Sequence, residues 1–323
     1  MTLTRRQWLR AALACSLWPL AGCNRSAVGL PKDKIMQKYP MKTYAIGRFL
    51  IDIPEVAKEV SLSQAYAGMS VEWFDSTKEK FISLLKQKRM SLSGMDSGKP
   101  ILAMDQSGTD DNTHFFMFRQ LDPETGYSEI DAYRYSESLN GFHLFSSPVD
   151  PNRYSEALSY ANMVMNAVQP RVVTPSMTER GACFDHAFVS GVETSDNEEA
   201  AIMAKFDNVI MNFFTKTLQS PVTEPSLLQR GNRASGFPGA TVLRKTKREV
   251  AGLDGAEFSF KDVPDSTTPY SFQWEYDGQP KSVSAPQMAA GLDSRDSTSM
   301  SQDELLGLWD AVLESIRKRP GAV

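Results

Sequence analysis

Thr241-Val242-Leu243-Arg244-Lys245-Thr246-Lys247-Arg248-Glu249-Val250, then Ala256-Glu257-Phe258-Ser259-Phe260-Lys261, then Tyr270-Ser271-Phe272-Gln273-Trp274-Glu275-Tyr276: the fold turns on this stretch. Its β-branched and aromatic residues alternate with polar ones, which predicts strands with one buried face. Asp254-Gly255 supplies the turn expected between the first two. Further on, Ser301 and Glu304 form a capping box, and Leu305, Leu308, Trp309, Val312, Leu313 and Ile316 recur at helical spacing until Arg317 and Pro320. Strands in succession closed by an amphipathic helix make an α+β domain, a mainly antiparallel sheet packed with helices.

Working outward, 182–190 and 200–206 read as further strands of this domain. An earlier part of the chain repeats the plan. It has a strand at 46–53 ended by Pro54, a helix at 77–90 with Phe81, Leu84, Leu85 and Lys88 on one face, and strands at 101–104, 114–120, 128–135 and 141–146. Asp150-Pro151 then starts a helix whose face is Leu158, Ala161, Met165 and Val168. Pro170 and Pro175 deny helix to the segment between the halves. The expected organisation is two α+β domains, 43–169 and 182–323, each ending in an amphipathic helix, with 170–181 as linker. Polar residues with Pro31 and Pro40 make 23–42 a tether.

Residues 1–22 read as an export signal. Arg5 and Arg6 precede an apolar run at 8–20, and Leu20-Ala21-Gly22-Cys23 offers small residues at a cut site before a cysteine. The run is too short to span a bilayer, which takes about 20 residues. Cleavage before Cys23, lipid attachment at Cys23 and a periplasmic location are the expectations. Asn24 in place of Asp resembles lipoproteins passed on to the outer membrane. One arginine pair leaves the route open between the general and twin-arginine translocases.

Charge narrows the partners. The chain carries 39 acidic against 35 basic residues, a formal net charge of −4, and loss of Arg5, Arg6 and Arg10 with the leader deepens the imbalance. An acidic body is repelled by nucleic acid and by anionic lipid, so no nucleic acid partner is expected and membrane attachment falls to the acyl chains. With Cys15 removed and Cys23 acylated, Cys183 is left without a disulfide partner.

Catalytic signals are sparse. There are three histidines, His114, His143 and His186. No Gly-x-Ser-x-Gly elbow, phosphate-cradling glycine loop or His-Glu-x-x-His motif is present. Cys183, Asp185 and His186 lie close in sequence, but strand alternation puts Cys183 and Asp185 on one face and His186 on the other, and further metal ligands are missing. A buried cysteine beside a surface histidine is the favoured reading. His114 and His143 sit among Phe115, Phe116, Phe142 and Phe145, as packing residues do. Phe272, Trp274 and Tyr276 make an aromatic row that serves either an interface or, the favoured reading, the core. Glu193, Asp196, Glu198 and Glu199 either steer a basic partner or, again favoured, are solvated loop charge. No catalytic, metal or cofactor site is expected.

A resemblance adds what chemistry does not. Val242-Leu243-Arg244-Lys245, Val250-Ala251-Gly252-Leu253, Gly255-Ala256-Glu257, Phe272-Gln273-Trp274-Glu275-Tyr276 and the helix from Leu308-Trp309-Asp310 to Arg317-Lys318-Arg319-Pro320 resemble the C-terminal domain of immunity proteins that neutralise type VI secretion phospholipase effectors. Gly47-Arg48-Phe49-Leu50-Ile51-Asp52-Ile53-Pro54 resembles the strand that opens their N-terminal domain. The resemblance implies a two-domain periplasmic protein that is no enzyme, needs no cofactor, and binds a cognate phospholipase effector so that it cannot hydrolyse membrane lipid. Many members carry a cysteine where this chain has Ala45, and glycines where it has His186 and Ala187, so the family disulfide is not expected. No interface residue carries over. Two other classes stay open: a structural or assembly lipoprotein of the envelope with no toxin partner, and a lipoprotein enzyme drawing on Ser190 or His186.

Overall fold

The computed structural model describes residues 27–93, 101–119, 128–171, 178–190, 197–234, 240–262, 269–295 and 297–323. In chain order come α1 (Lys32–Lys38), β1 (Met41–Ile46), β2 (Phe49–Pro54), β3 (Glu59–Tyr66), β4 (Met69–Asp75), α2 (Lys78–Leu92), β5 (Ile101–Ser107), β6 (Thr113–Arg119), β7 (Ser128–Ser136) and β8 (Gly141–Val149). There follow α3 (Tyr154–Ala167), β9 (Val168–Pro170), β10 (Gly181–Phe184), β11 (Ala187–Ser190), β12 (Glu199–Phe206), β13 (Val209–Lys216) and α4 (Leu227–Ala234). The last are β14 (Thr241–Val250), β15 (Leu253–Lys261), β16 (Tyr270–Tyr276), β17 (Gln287–Ser294), α5 (Gln302–Ser315) and β18 (Arg317–Lys318). The chain is α+β, as expected, and its compact units are interleaved. An N-terminal unit takes Tyr44–Phe49, Leu62–Ala201 and Arg319–Val323; a C-terminal unit takes the residues up to Thr43, Leu50–Ser61 and Ile202–Lys318.

In the N-terminal unit the strands lie in the order β3-β4-β8-β7-β6-β5, antiparallel where registers are defined. Both faces are covered, which explains the unbroken run His114-Phe115-Phe116-Met117-Phe118 in β6. Phe116 and Phe118 join Phe81 and Leu92 of α2 with Tyr133, Tyr135 and Phe142. Phe115 and Met117 point the other way, into a cluster with Ala161, Val164 and Met165 of α3 and Ala182, Phe184, Ala187 and Val189 of β10 and β11. Period two on a strand sends neighbours to opposite faces, so a doubly covered strand is apolar throughout. Thr77 caps α2 by accepting a bond from the Lys80 amide.

The C-terminal unit holds the order β14-β15-β16-β17-β13-β12. Helix α5 lies on one face, where Phe272 packs against Trp309 with ring centroids 6.0 Å apart. The predicted capping box is present: Ser301 and Glu304 bond each other's backbone amides. On the other face α4 meets β15, with Gly231 against the Phe258 ring.

Several expectations change. The strand read at 46–53 is two, because Gly47 turns the chain at φ +58, a region strained for any side chain. The strand read at 182–190 is a hairpin that turns at Asp185-His186, with His186 at φ +55. The turn before β15 is Ala251-Gly252, both at positive φ. Gly255 instead sits inside β15, where a Cβ would come 2.5 Å from Trp274 Cε2. The tether read at 23–42 is docked from Ala27 onward. Its Leu30 amide donates to Asp303 O at 2.8 Å, and Pro31 opens α1 in place of breaking structure. Within the linker read at 170–181, Pro170 pairs with Ala187 and Gly181 with Ser190, while 172–177 lie outside the described residues.

Candidate interaction surface

The residues singled out for chemistry are spent on structure. Cys183 is buried and free, and its amide donates to Gly47 O at 2.8 Å. Burial pushes the thiol up against the opposing pull of Arg171, Arg319 and Arg48, which disfavours the reactive thiolate. His186 stacks on Trp73 at 4.6 Å, and His143, 2 % exposed, donates from Nε2 to Asp185 O at 2.8 Å. Burial pushes the His143 pKa down to about 4, so the ring is neutral near pH 7. His114 Nε2 lies 2.7 Å from Asp105 Oδ1. The Ser190 hydroxyl accepts from Gln169 Nε2 at 3.1 Å. Among the described residues no group of His, Cys, Asp and Glu could hold a metal ion. Cys15, Cys23, Asn24, Glu193 and Asp196 lie outside the described residues.

Four of the residues that carry the C-terminal resemblance, Arg244, Glu257, Trp309 and Asp310, form one network with Arg248. Arg244 clasps Asp310 through Nη1 and Nη2 at 2.5 and 2.8 Å and reaches Glu257 Oε1 at 3.2 Å. Arg248 reaches Glu257 Oε2 at 3.1 Å and Asp310 Oδ1 at 2.7 Å, while Trp309 Nε1 donates to Glu257 Oε1 at 2.8 Å. Burial lifts the Asp310 pKa, but hydrogen bonds and charge from Arg244 and Arg248 outweigh it and leave the carboxyl below its usual range. The network pins α5 to β14 and β15. Phe272 and Trp274 are fully buried in the core, as favoured, and Tyr276 is partly exposed.

One expectation about charge changes. Glu198 is not solvated loop charge: it is buried and accepts from Arg48 Nε and Nη2 at 2.8 and 2.6 Å. Sequence reasoning missed this because the two residues lie far apart in the chain, and only the docking of Tyr44–Phe49 onto the N-terminal unit brings them together.

What remains for a partner is surface. The C-terminal unit carries a cleft of about 700 Å³ with Tyr39, Phe206, Val209 and Ile210 as its apolar lining and Val56 among its wall residues. Lys58, Glu59, Lys205, Asp207 and Arg295 line it as well. Nothing in the sequence marked it, because its lining comes from four separate segments.

Residues 176–321 match the family described as Tle cognate immunity protein 4 C-terminal domain. The resemblance read from the sequence therefore holds. The family boundary at 176 falls within the linker read at 170–181, whereas the compact units divide at Ala201 and Ile202. The chain is also similar to the apo structure of the immunity protein TplEi of T6SS from Pseudomonas aeruginosa, with 23% identity, a TM-score of 0.77, and cover of 89% of this chain and 100% of that one. Similar too is TplEi complexed with an "L" peptide, at 23% identity, a TM-score of 0.72, and cover of 87% and 98%. The crystal structure of the Tle4–Tli4 complex matches at 23% identity with a TM-score of 0.74 and the same cover of 87% and 98%. No curated protein matches the chain significantly.

Proposed function

We propose that this chain is an immunity protein that binds and inhibits a phospholipase effector of the type VI secretion system, and does so from the periplasmic face of a membrane through acyl chains on Cys23. The observation that carries the reading is the family match over 176–321. Similarity of fold to a protein solved in the Tle4–Tli4 complex supports it. A stoichiometric inhibitor needs no nucleophile, metal or cofactor. It needs about 1,200 to 2,000 Å² of complementary surface, laid across the lipase entrance or its lid. Lipidation at Cys23 would hold that surface beside the phospholipid under attack, and two acyl chains anchor far more firmly than one.

The test is protection. Cells that export the partner lipase to their own periplasm should survive with this chain and lyse without it. Equal lysis would sink the reading. Cys23→Ala should leave the protein unacylated and shed it from membrane fractions; a variant that stays membrane-bound would refute the anchor.

A further inference from the structure

We infer that the edge of the C-terminal unit to which residues 27–30 are docked rests on the phospholipid surface itself, with Val28 in the headgroup layer, so that this edge is closed to the partner protein. The inference rests on acylation at Cys23 for the anchor and on the docking of Ala27 for everything else.

The docked segment runs from β14 to the start of α5 and is fixed at both ends. Ala27 N–H donates to Leu243 O at 3.1 Å, and Ala27 O accepts from Arg244 Nε at 2.8 Å. Arg244 is held in turn by Asp310 and Glu257, so the first docked residue is tied to the network that pins α5. At the other end Leu30 N–H donates to Asp303 O at 2.8 Å. Between these bonds Gly29 lies so close to α5 that a Cβ on it would come 2.2 Å from Gly307 N, and a Cβ on Gly307 would come 2.6 Å from Leu30 O. Two glycines let backbone meet backbone there. Of the four residues Val28 is the one turned outward, 81% exposed.

Chain length then sets the distance to the lipid. Only Asn24, Arg25 and Ser26 separate Cys23 from Ala27, so at full extension, about 3.3–3.6 Å per residue, the two Cα atoms are about 14 Å apart. Acyl chains buried in hydrocarbon keep the Cys23 backbone in the headgroup layer, which is about 5–8 Å deep on each side of a bilayer. Ala27 can therefore rise no more than about 14 Å above that layer, and the side chain of Val28 is free to enter it. A free coil of about 20 residues would let the unit wander about 25 Å and turn any face to the membrane. Docking at Ala27 removes that freedom. A gap of about 14 Å admits little more than one helix, about 10–12 Å across, so a lipase domain cannot seat between this edge and the bilayer.

The experiment places the mature acylated chain in phosphatidylcholine vesicles, which carry no net charge and so test the tether alone. The reporter is a fluorophore on Thr246→Cys, an exposed position two residues along β14 from Arg244 and on the same strand face. Cys183 is buried and Cys23 is acylated, so the label goes to one site. Lipid spin-labelled at its headgroup should quench this fluorophore at least about threefold more than in a second chain that carries about 20 glycine and serine residues inserted between Ser26 and Ala27. The insertion precedes the first docked residue, so both chains should share one thermal midpoint. A photo-crosslinker at Val28 should label phospholipid, also when a catalytically inactivated copy of the partner lipase is added. Equal quenching in two chains that are both acylated would overturn the inference while the anchor reading stands. A crosslink from Val28 to the lipase or to a second copy of this chain overturns it as well. A mature chain whose mass shows no acyl group overturns the anchor reading and the inference together.

Discussion

Glu257→Ala is the most searching perturbation of the C-terminal unit. Glu257 is 1% exposed and takes bonds from Arg244, Arg248 and the Trp309 indole. Its removal leaves two guanidinium groups to share Asp310 and strands a buried indole N–H. Breaking one partner of a buried ion pair costs about 3–5 kcal/mol, and a stranded buried donor about 1–3 kcal/mol. These overlap because all the groups share one carboxylate, so the expected loss is about 4 kcal/mol. With an m-value of about 2 kcal/mol/M the urea midpoint of this unit should fall by about 2 M. Glu257→Gln keeps an acceptor for Trp309 but loses the charge, and should cost about half as much. The assay is tryptophan fluorescence through urea. In a chain that starts at Cys23, and so lacks Trp8 and Trp18, Trp274 and Trp309 report this unit and Trp73 the other, so a Trp73→Phe background isolates the transition. A midpoint shift below about 0.5 M for Glu257→Ala would show that the network contributes little.

Three further outcomes are expected. His143 is held neutral by burial, with its pKa lowered from 6.5 to about 4, so the native state binds fewer protons than the unfolded chain between those values. Stability of the N-terminal unit is then intact above pH 6.5 and falls by on the order of 3 kcal/mol as pH drops toward 4; His143→Gln should flatten that slope in pH-dependent urea melts. Gly252→Ala meets only backbone strain at φ +76 and should cost about 1 kcal/mol, whereas Gly255→Ala collides with Trp274 and should cost about 2–3 kcal/mol; equal thermal shifts would refute the distinction. Glu198→Ala should destabilise the N-terminal unit by about 3–5 kcal/mol by taking the carboxylate away from the buried Arg48 guanidinium, read as earlier hydrogen exchange in that unit.

What the sequence revealed follows from how local each signal is. The α2 and α5 faces and the strands from β6 to β8 rest on short-range periodicity, and each was legible. The turns were misread where two features compete for one glycine. Asp254-Gly255 carries turn chemistry, yet its glycine serves the Trp274 ring, and Ala251-Gly252 makes the turn. Strands β13 and β17 went unread although β13 alternates perfectly in burial, because apolar, aromatic and amide residues mix on its faces. The Arg48–Glu198 pair and the cleft were beyond reach, since both depend on which distant segments meet. Arg244, Glu257, Trp309 and Asp310 were found through resemblance, and structure supplied their reason: they tie α5 to β14 and β15.

The interleaving of the two units has a consequence for synthesis. Arg319 donates to the carbonyls of Glu179 and Gly181 at 2.8 and 2.7 Å, and Arg48 donates to Ala322 O. Residues 319–323 are thus a structural part of the unit whose bulk, 62–201, is made early, and they emerge only after the rest of the other unit has been made. A fragment ending at Lys318 would lack the bonds that seal its own early half. Completion of the N-terminal unit waits on residues 319–323, which leaves 62–201 unsealed while the other unit is made.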